Sequence, residues 1–157
     1  MKHKGFTLIE LVITVTIIAI LATISIVSYV NIRADSMDTK IKTVVKTAGD
    51  AVSIYQSKTE KLPAEGIFNR PGGVDSLVPE YLGKQYRQGV TSKNAPHVNE
   101  IFRLYPCKKE QGSFVIYASL NHPKDSDITH YNTVKAECGN TAQLPTGTTL
   151  FNYAQIF

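Results

Sequence analysis

The sequence has no glycine-rich phosphate loop, no Gly-x-Ser-x-Gly and no Cys-x-x-Cys. Those absences remove the usual marks of a nucleotide-phosphate cradle, a serine-hydrolase elbow and a paired-cysteine redox or zinc site. Basic runs are missing too; Lys108-Lys109 is the only adjacent pair. The net charge of +4 is mild, and Lys2 and Lys4 fall in the first five residues. Without that piece, 15 basic side chains face 13 acidic ones, a charge of +2. Basic residues that alternate with polar ones describe a solvated surface. DNA binding by residues 31–157 is therefore expected to be weak or absent, because phosphate contacts need several convergent Lys or Arg. Tryptophan is absent, and four histidines are scattered at His3, His97, His122 and His130. Between His122 and His130, Asp125 and Asp127 add two carboxylates. Calcium wants six to eight oxygens, and Lys124 dilutes the charge, so the stretch reads as a polar turn and no metal ligand is assigned. No cofactor and no catalytic residue is expected; the chain does not read as an enzyme.

What is present is divided sharply. The chain has 157 residues, 43% hydrophobic and 19% charged, but the apolar residues are concentrated near the start. Residues 31–157 read as an ordinary polar globular sequence. A body of that size has a thin margin of core burial. It holds two cysteines, Cys107 and Cys138. An even count behind an export-like N-terminus suggests one disulfide; two buried free thiols are the alternative. Closing that loop would stabilise the body by roughly 3–4 kcal/mol in the chain-entropy model.

The N-terminus runs Met1-Lys2-His3-Lys4-Gly5-Phe6-Thr7-Leu8-Ile9-Glu10, then 20 residues, Leu11 to Val30, without a charge. Twenty residues cross a hydrocarbon core as a helix. An ordinary secretory signal has a similar basic start, and Thr23-Ile24-Ser25 could pass as its cleavage site, but Glu10 interrupts the apolar region. A plain membrane anchor leaves Glu10 unexplained. A carboxylate at the centre of a membrane helix costs ~2.5–3.5 kcal/mol on insertion scales, and such residues are functional suspects.

The segment Lys4-Gly5-Phe6-Thr7-Leu8-Ile9-Glu10 resembles the processing site of type IV pilins and pseudopilins. The resemblance is specific over residues 1–30 and architectural beyond. It implies that a prepilin peptidase cuts between Gly5 and Phe6, that the new N-terminus of Phe6 is methylated, and that Glu10 serves assembly. Cutting after Gly5 leaves an ammonium on Phe6 beside lipid. Glu10 can partner it within the subunit or on a neighbour, and an unpaired charge would penalise other packing offsets. One departure is visible: Val27, two residues before Tyr29, stands where many pilins have Pro, so no proline kink is encoded there. Positive charges flank the span on both sides and do not decide orientation; the cysteine pair and the resemblance put the body outside the cytoplasm.

The fold expected is α+β and pilin-like: a long N-terminal helix, half transmembrane and half amphipathic, packed on a small antiparallel sheet. A leader peptide occupies 1–5, the transmembrane and assembly helix 6–30, and the globular head 31–157. Ala34, Met37, Ile41, Val44, Val45, Ala48, Val52 and Tyr55 share one helical face, with Lys42, Lys46, Asp50, Ser53 and Ser57 opposite. Gly49 weakens this helix slightly. Pro63 marks an end near residue 60, so a helix to about 58 would be roughly 80 Å long. Residues 59–100 read as a proline-punctuated connecting loop. The region 101–157 reads as the sheet and the disulfide-bounded part. Its strand-like runs are Ile101–Tyr105, Ser113–Leu120, a weaker His130–Val134, and Thr148–Ile156.

Three roles fit. The first is a structural subunit of a type IV pilus, supporting adhesion, twitching motility or DNA uptake. The second is a minor pilin or competence pseudopilin that decorates a filament, with Lys84, Arg87, Lys93, Arg103, Lys108 and Lys109 as a DNA patch if they converge. The third is a type II secretion pseudopilin. In each the expected partners are other pilin subunits, the prepilin peptidase, the inner-membrane assembly platform and, before assembly, membrane lipid. DNA or a surface receptor has no support in the sequence.

Overall fold

The computed structural model describes residues 5–95, 97, 100–109, 112–139 and 151–157, with backbone alone at 26–28. The chain divides into two compact units, Met1–Ala34 and Asp35–Phe157. Helix α1, Leu8–Thr59, contributes to both. It contains no proline and one glycine, Gly49, so nothing in its interior forces a break. It stops where Glu60 turns to a left-handed φ of 56°, three residues before Pro63.

In the second unit, four antiparallel strands lie in the order β1 (Gly66–Ile67), β2 (Phe102–Pro106), β3 (Phe114–Ala118), β4 (Tyr153–Ile156). A second helix, α2, spans Asp125–Cys138. Strand side chains alternate between faces, and here both faces are buried. Phe102, Leu104, Phe114, Ile116 and Ala118 join Ile41, Val44, Val45, Ala48 and Val52 of α1 in one cluster. Tyr105, Val115, Tyr117 and Ala154 join Val134 and Cys138 of α2 in another. The body is thus an α+β stack with the sheet between two helices. The amphipathic face expected for residues 34–55 is the one that packs, with Met37 and Tyr55 partly buried at its ends.

The connection 59–100 is less irregular in function than in sequence. It supplies β1, a 3-10 turn at Val74–Leu77, and the buried side chains Phe68, Val74, Leu77, Leu82 and Val90 of the main core. Tyr86 donates to Asp75 at 2.5 Å, and Arg87 is ion-paired with the same carboxylate. Burial, that hydrogen bond and the Asp75 charge push the Tyr86 phenol far above its ordinary pKa.

One element corrects the reading of the sequence. His130–Val134 is not a strand; it lies inside α2. The β-branched pair Thr133-Val134 is outweighed by helical spacing: Val134 and Cys138, one turn apart, are both buried against β2, β3 and β4. Asp125 and Asp127 occupy the first turn, where carboxylates suit the helix dipole, and Gly139 closes the end at φ 67°. The polar turn is therefore confined to 121–124, and the two aspartates belong to the helix. Of the expected last strand, Tyr153–Ile156 is formed, while 148–150 lie outside the described residues, as do leader residues 1–4.

Candidate functional site

Among its described residues the first unit contains no core. Among its described side chains every large apolar residue from Phe6 to Ile32 is more than half exposed, with Phe6 at 80% and Leu8 at 82%. Helix α1 is long and apolar enough there to cross a membrane. Contiguous apolar surface of this extent calls for lipid or other apolar helices around it. Four hydroxyls in the stretch have partners within the helix. Thr14 donates to the Leu11 carbonyl at 2.9 Å, Thr16 to Val12 at 2.7 Å, Thr23 to Ile20 at 2.7 Å and Ser25 to Leu21 at 2.8 Å. Such back-bonding removes the cost of placing hydroxyls away from water.

Glu10 is the one charged side chain between Gly5 and Ile32. Its carboxylate is tied to Thr7, the residue immediately before α1. The Thr7 N–H donates to Glu10 Oε2 at 2.9 Å, and the Thr7 hydroxyl donates to the same oxygen at 2.7 Å. In return the Glu10 N–H reaches Thr7 Oγ1 at 3.4 Å, and the Leu11 N–H reaches the Thr7 carbonyl at 3.3 Å. This is a capping box: two otherwise orphaned helix-end donors satisfied reciprocally. The Thr-x-x-Glu spacing encodes it, and the sequence reading missed it by weighing Glu10 against lipid and the Phe6 amine and not against Thr7. Glu10 Oε1 accepts no hydrogen bond from the described residues. Phe6 is unpacked, and nothing lies within 4 Å of where a Gly5 side chain would begin. Among the described residues nothing covers either side of the Gly5–Phe6 bond. The Phe6 nitrogen is an amide here; only hydrolysis of that bond would make it an ammonium.

The remaining sites predicted from sequence fall in the second unit. Cys107, just past β2, and Cys138, the last residue of α2, are disulfide-bonded with Cα atoms 4.4 Å apart. The bond pins α2 to the sheet, beside a hydrogen bond from the Lys108 N–H to the Cys138 carbonyl at 2.9 Å. The six basic residues considered for nucleic acid are partly engaged within the fold. Arg87 pairs with Asp75, Lys109 donates to the Ala136 carbonyl at 2.8 Å, and Arg103 lies over the Phe151 ring at 5.9 Å. Of the metal candidates, no group of three or more ligating side chains occurs among the described residues.

The sequence reading also missed a polar seam between α1 and the chain after β3. Asp38, buried among the core-facing residues of α1, accepts from the N–H groups of Asn121 (2.6 Å) and His122 (2.7 Å). Lys42 donates to Asp127 at 2.6 Å, and His122 lies 3.2 Å from Asp35. Burial alone would raise the Asp127 carboxyl. Hydrogen bonds from Lys42 and the Lys124 N–H, with the charges of both lysines, outweigh it and hold the pKa below its ordinary value.

Residues 1–26 match the family model of the prokaryotic N-terminal methylation motif. Comparison with curated proteins and with solved structures gives no match.

Proposed function

We propose that this chain, which carries the N-terminal methylation motif of type IV pilin-like prepilins, is a structural subunit of a type IV pilus assembled through the apolar half of α1. The observation that carries the reading is a coreless, exposed apolar helix whose single carboxylate sits at its first turn, three residues after a capping threonine and directly behind an open Gly5–Phe6 bond. In the membrane the exposed face is solvated by lipid. In a filament it is covered by the same face of neighbouring subunits. Cleavage between Gly5 and Phe6 by a prepilin peptidase removes the leader and leaves the Phe6 ammonium, which is then methylated. Glu10 of a neighbour offers that charge a partner through Oε1, the oxygen Thr7 leaves free. An ammonium or a carboxylate left alone among packed apolar helices is costly, so the pair selects one axial offset.

The Asp35–Phe157 unit is the head outside the cytoplasm, and adhesion, motility or DNA uptake would be properties of the whole filament rather than of an active site. A second reading, a minor pilin or a competence or secretion pseudopilin, is favoured by Val27 standing where many pilins have Pro.

The test is Glu10→Gln, beside wild type, in membrane and sheared-surface fractions. Wild-type levels in the membrane, normal removal of Met1–Gly5 and few or no filaments are expected. Entry of Glu10→Gln into filaments at the wild-type level would refute the role given to Glu10. Abundance separates the two readings: a major subunit dominates the sheared filaments, and a minor one is a trace.

A further inference from the structure

Side chains of α1 and of β4 flank a groove of about 420 Å³ on the α1 side of the sheet, and every residue that lines it is described. That volume falls in the range of small-molecule sites, about 300–1,000 Å³. Two contacts align its walls. Lys42 Nζ lies 5.3 Å from the centre of the Tyr153 ring, and Gly49 abuts the Phe157 ring. Gln155, midway between those two aromatic residues, therefore stands level with Lys46.

The two halves of the groove differ. In one half the polar groups are engaged within the fold. Lys42 is paired with Asp127, Thr39 donates to the Asp35 carbonyl at 2.9 Å, and Thr43 donates to the Thr39 carbonyl at 2.9 Å. In the other half Lys46, Thr47 and Asp50 are exposed, and their side chains have no hydrogen-bond or ion-pair partner among the described residues. Gln155 accepts one long bond through Oε1, from the Tyr153 hydroxyl at 3.4 Å, and its side-chain nitrogen has no partner among the described residues. Lys46 precedes Asp50 by one helical turn, the less favourable order for an ion pair on a helix. Their opposite charges border the same space, each unpaired.

These groups select the chemistry of an occupant. An anion drawn to Lys46 meets repulsion from Asp50, and a cation drawn to Asp50 meets repulsion from Lys46. An apolar molecule would strip water from both without replacing its hydrogen bonds. Adjacent hydroxyl groups suit both at once: one donates to the carboxylate while the next accepts from the ammonium, and both bonds are charge-assisted. We propose that this groove binds a neutral polyhydroxylated ligand, a hexose unit, whose neighbouring hydroxyls bridge Lys46 and Asp50 while a further oxygen accepts from the Gln155 side chain. The site lies wholly in the Asp35–Phe157 unit and does not depend on polymerisation through α1.

The test uses the full chain in polyoxyethylene detergent micelles, which carry neither sugar nor charge. Glucose, galactose and mannose are titrated separately, with glycine as the zwitterionic comparison. The backbone amides of Lys46, Thr47 and Asp50 and the side-chain amide of Gln155 are followed by NMR. At least one hexose is expected to shift them saturably, and Lys46→Ala and Asp50→Ala should each weaken its binding roughly ten-fold. Both residues are exposed, so the variants should fold as wild type does, and unchanged amide shifts in β2 and β3 check this. The proposal is overturned if no hexose gives a saturable shift, if binding survives both substitutions, or if glycine moves the same signals more strongly than any hexose.

Discussion

Gly49→Ala should destabilise the head although it improves the helix. In an exposed helix the change would be worth about 1 kcal/mol of stability. Here a Cβ at Gly49 would lie 2.0 Å from Cε1 and Cζ of Phe157 and 2.5 Å from Cδ1. Carbon contacts are ordinarily about 3.5–4.0 Å, so the ring would have to retreat by roughly 1.5 Å. It has little freedom to do so. It is stacked on Phe114 with centroids 5.3 Å apart and planes 10° apart, and its backbone exchanges two hydrogen bonds with Phe114. Overpacking of this kind costs about 1–3 kcal/mol. Set against the propensity gain of about 1 kcal/mol, the net loss should be up to ~2 kcal/mol, a fall in Tm of up to about 8 °C for a unit of this size. Thermal unfolding of the full chain in detergent, followed by far-ultraviolet circular dichroism, reads this. The decisive comparison is the same substitution in a Phe157→Ala background. With the ring gone, Gly49→Ala should become stabilising by about 1 kcal/mol. A rise in Tm in the otherwise wild-type chain, or the same fall in both backgrounds, would refute the packing argument.

Three further outcomes are expected. Replacing Cys107 and Cys138 by serine removes a cross-link spanning 31 residues of sequence, which should cost roughly 3–4 kcal/mol in urea unfolding under non-reducing conditions; an unchanged midpoint would contradict it. Lys42→Met should lower stability at pH 7 by roughly 1–2 kcal/mol, a figure reduced because Lys42 is one-third exposed. Because the folded Asp127 pKa is depressed, its contribution is full above the unfolded carboxylate value and is lost as pH falls through the folded one. The gap between Lys42→Met and wild type should therefore shrink in urea titrations taken from pH 7 towards pH 3, and a gap that widens in acid would reverse the sign of the argument. Intact mass of the exported protein should correspond to a chain starting at Phe6 with a methyl group added; a chain starting at Met1, or near Ser25, would not fit.

The parts of the fold that the sequence made legible are those with a strong period or strong punctuation. Ile41, Val44, Val45, Ala48 and Val52 recur at helical spacing, and all five are buried together. The run from Phe114 to Ala118 alternates between two buried faces, which is why it reads as almost continuously apolar. Helix α2 was not legible because it buries so little of its own surface. Its apolar contribution is mainly Val134 and Cys138, with Tyr131 partly buried, and three side chains in a 14-residue element make a weak period. Its position is set by the disulfide and by packing on Tyr105 and Tyr117, contacts that no local pattern announces. Asp38 was missed for a related reason. It sits three residues before Ile41 on the packed face, a place where polarity argues for solvent. It is tolerated because the turn after β3 brings the Asn121 and His122 N–H groups to its carboxylate.

At the N-terminus the legible residue was Glu10, and the illegible part was its bond to Thr7, which leaves room for the second partner proposed for it. The capping bonds to Thr7 both use Oε2, so the cap does not have to break for Oε1 to meet an ammonium. That matters for the energetics of the proposed assembly. In lipid, before any neighbour arrives, the carboxylate already holds two hydrogen bonds and sits at the positive end of α1, which offsets part of the cost of its position. When a neighbour's Phe6 ammonium arrives, the capped carboxylate is held in one orientation, so little side-chain freedom remains to be lost on pairing. Removing the Thr7 side chain would take away one of the two bonds to Oε2 and leave the backbone one. The carboxylate would remain, with its charge unchanged, but less firmly aimed. Charge and aim are therefore separable here: Glu10→Gln removes the first, and Thr7→Ala weakens only the second. A filament that needs the charge alone would tolerate Thr7→Ala at wild-type yield. One that needs the oxygen fixed would lose subunits from the sheared fraction while the membrane pool stayed full, and Thr7→Ser, which keeps the hydroxyl, would restore them.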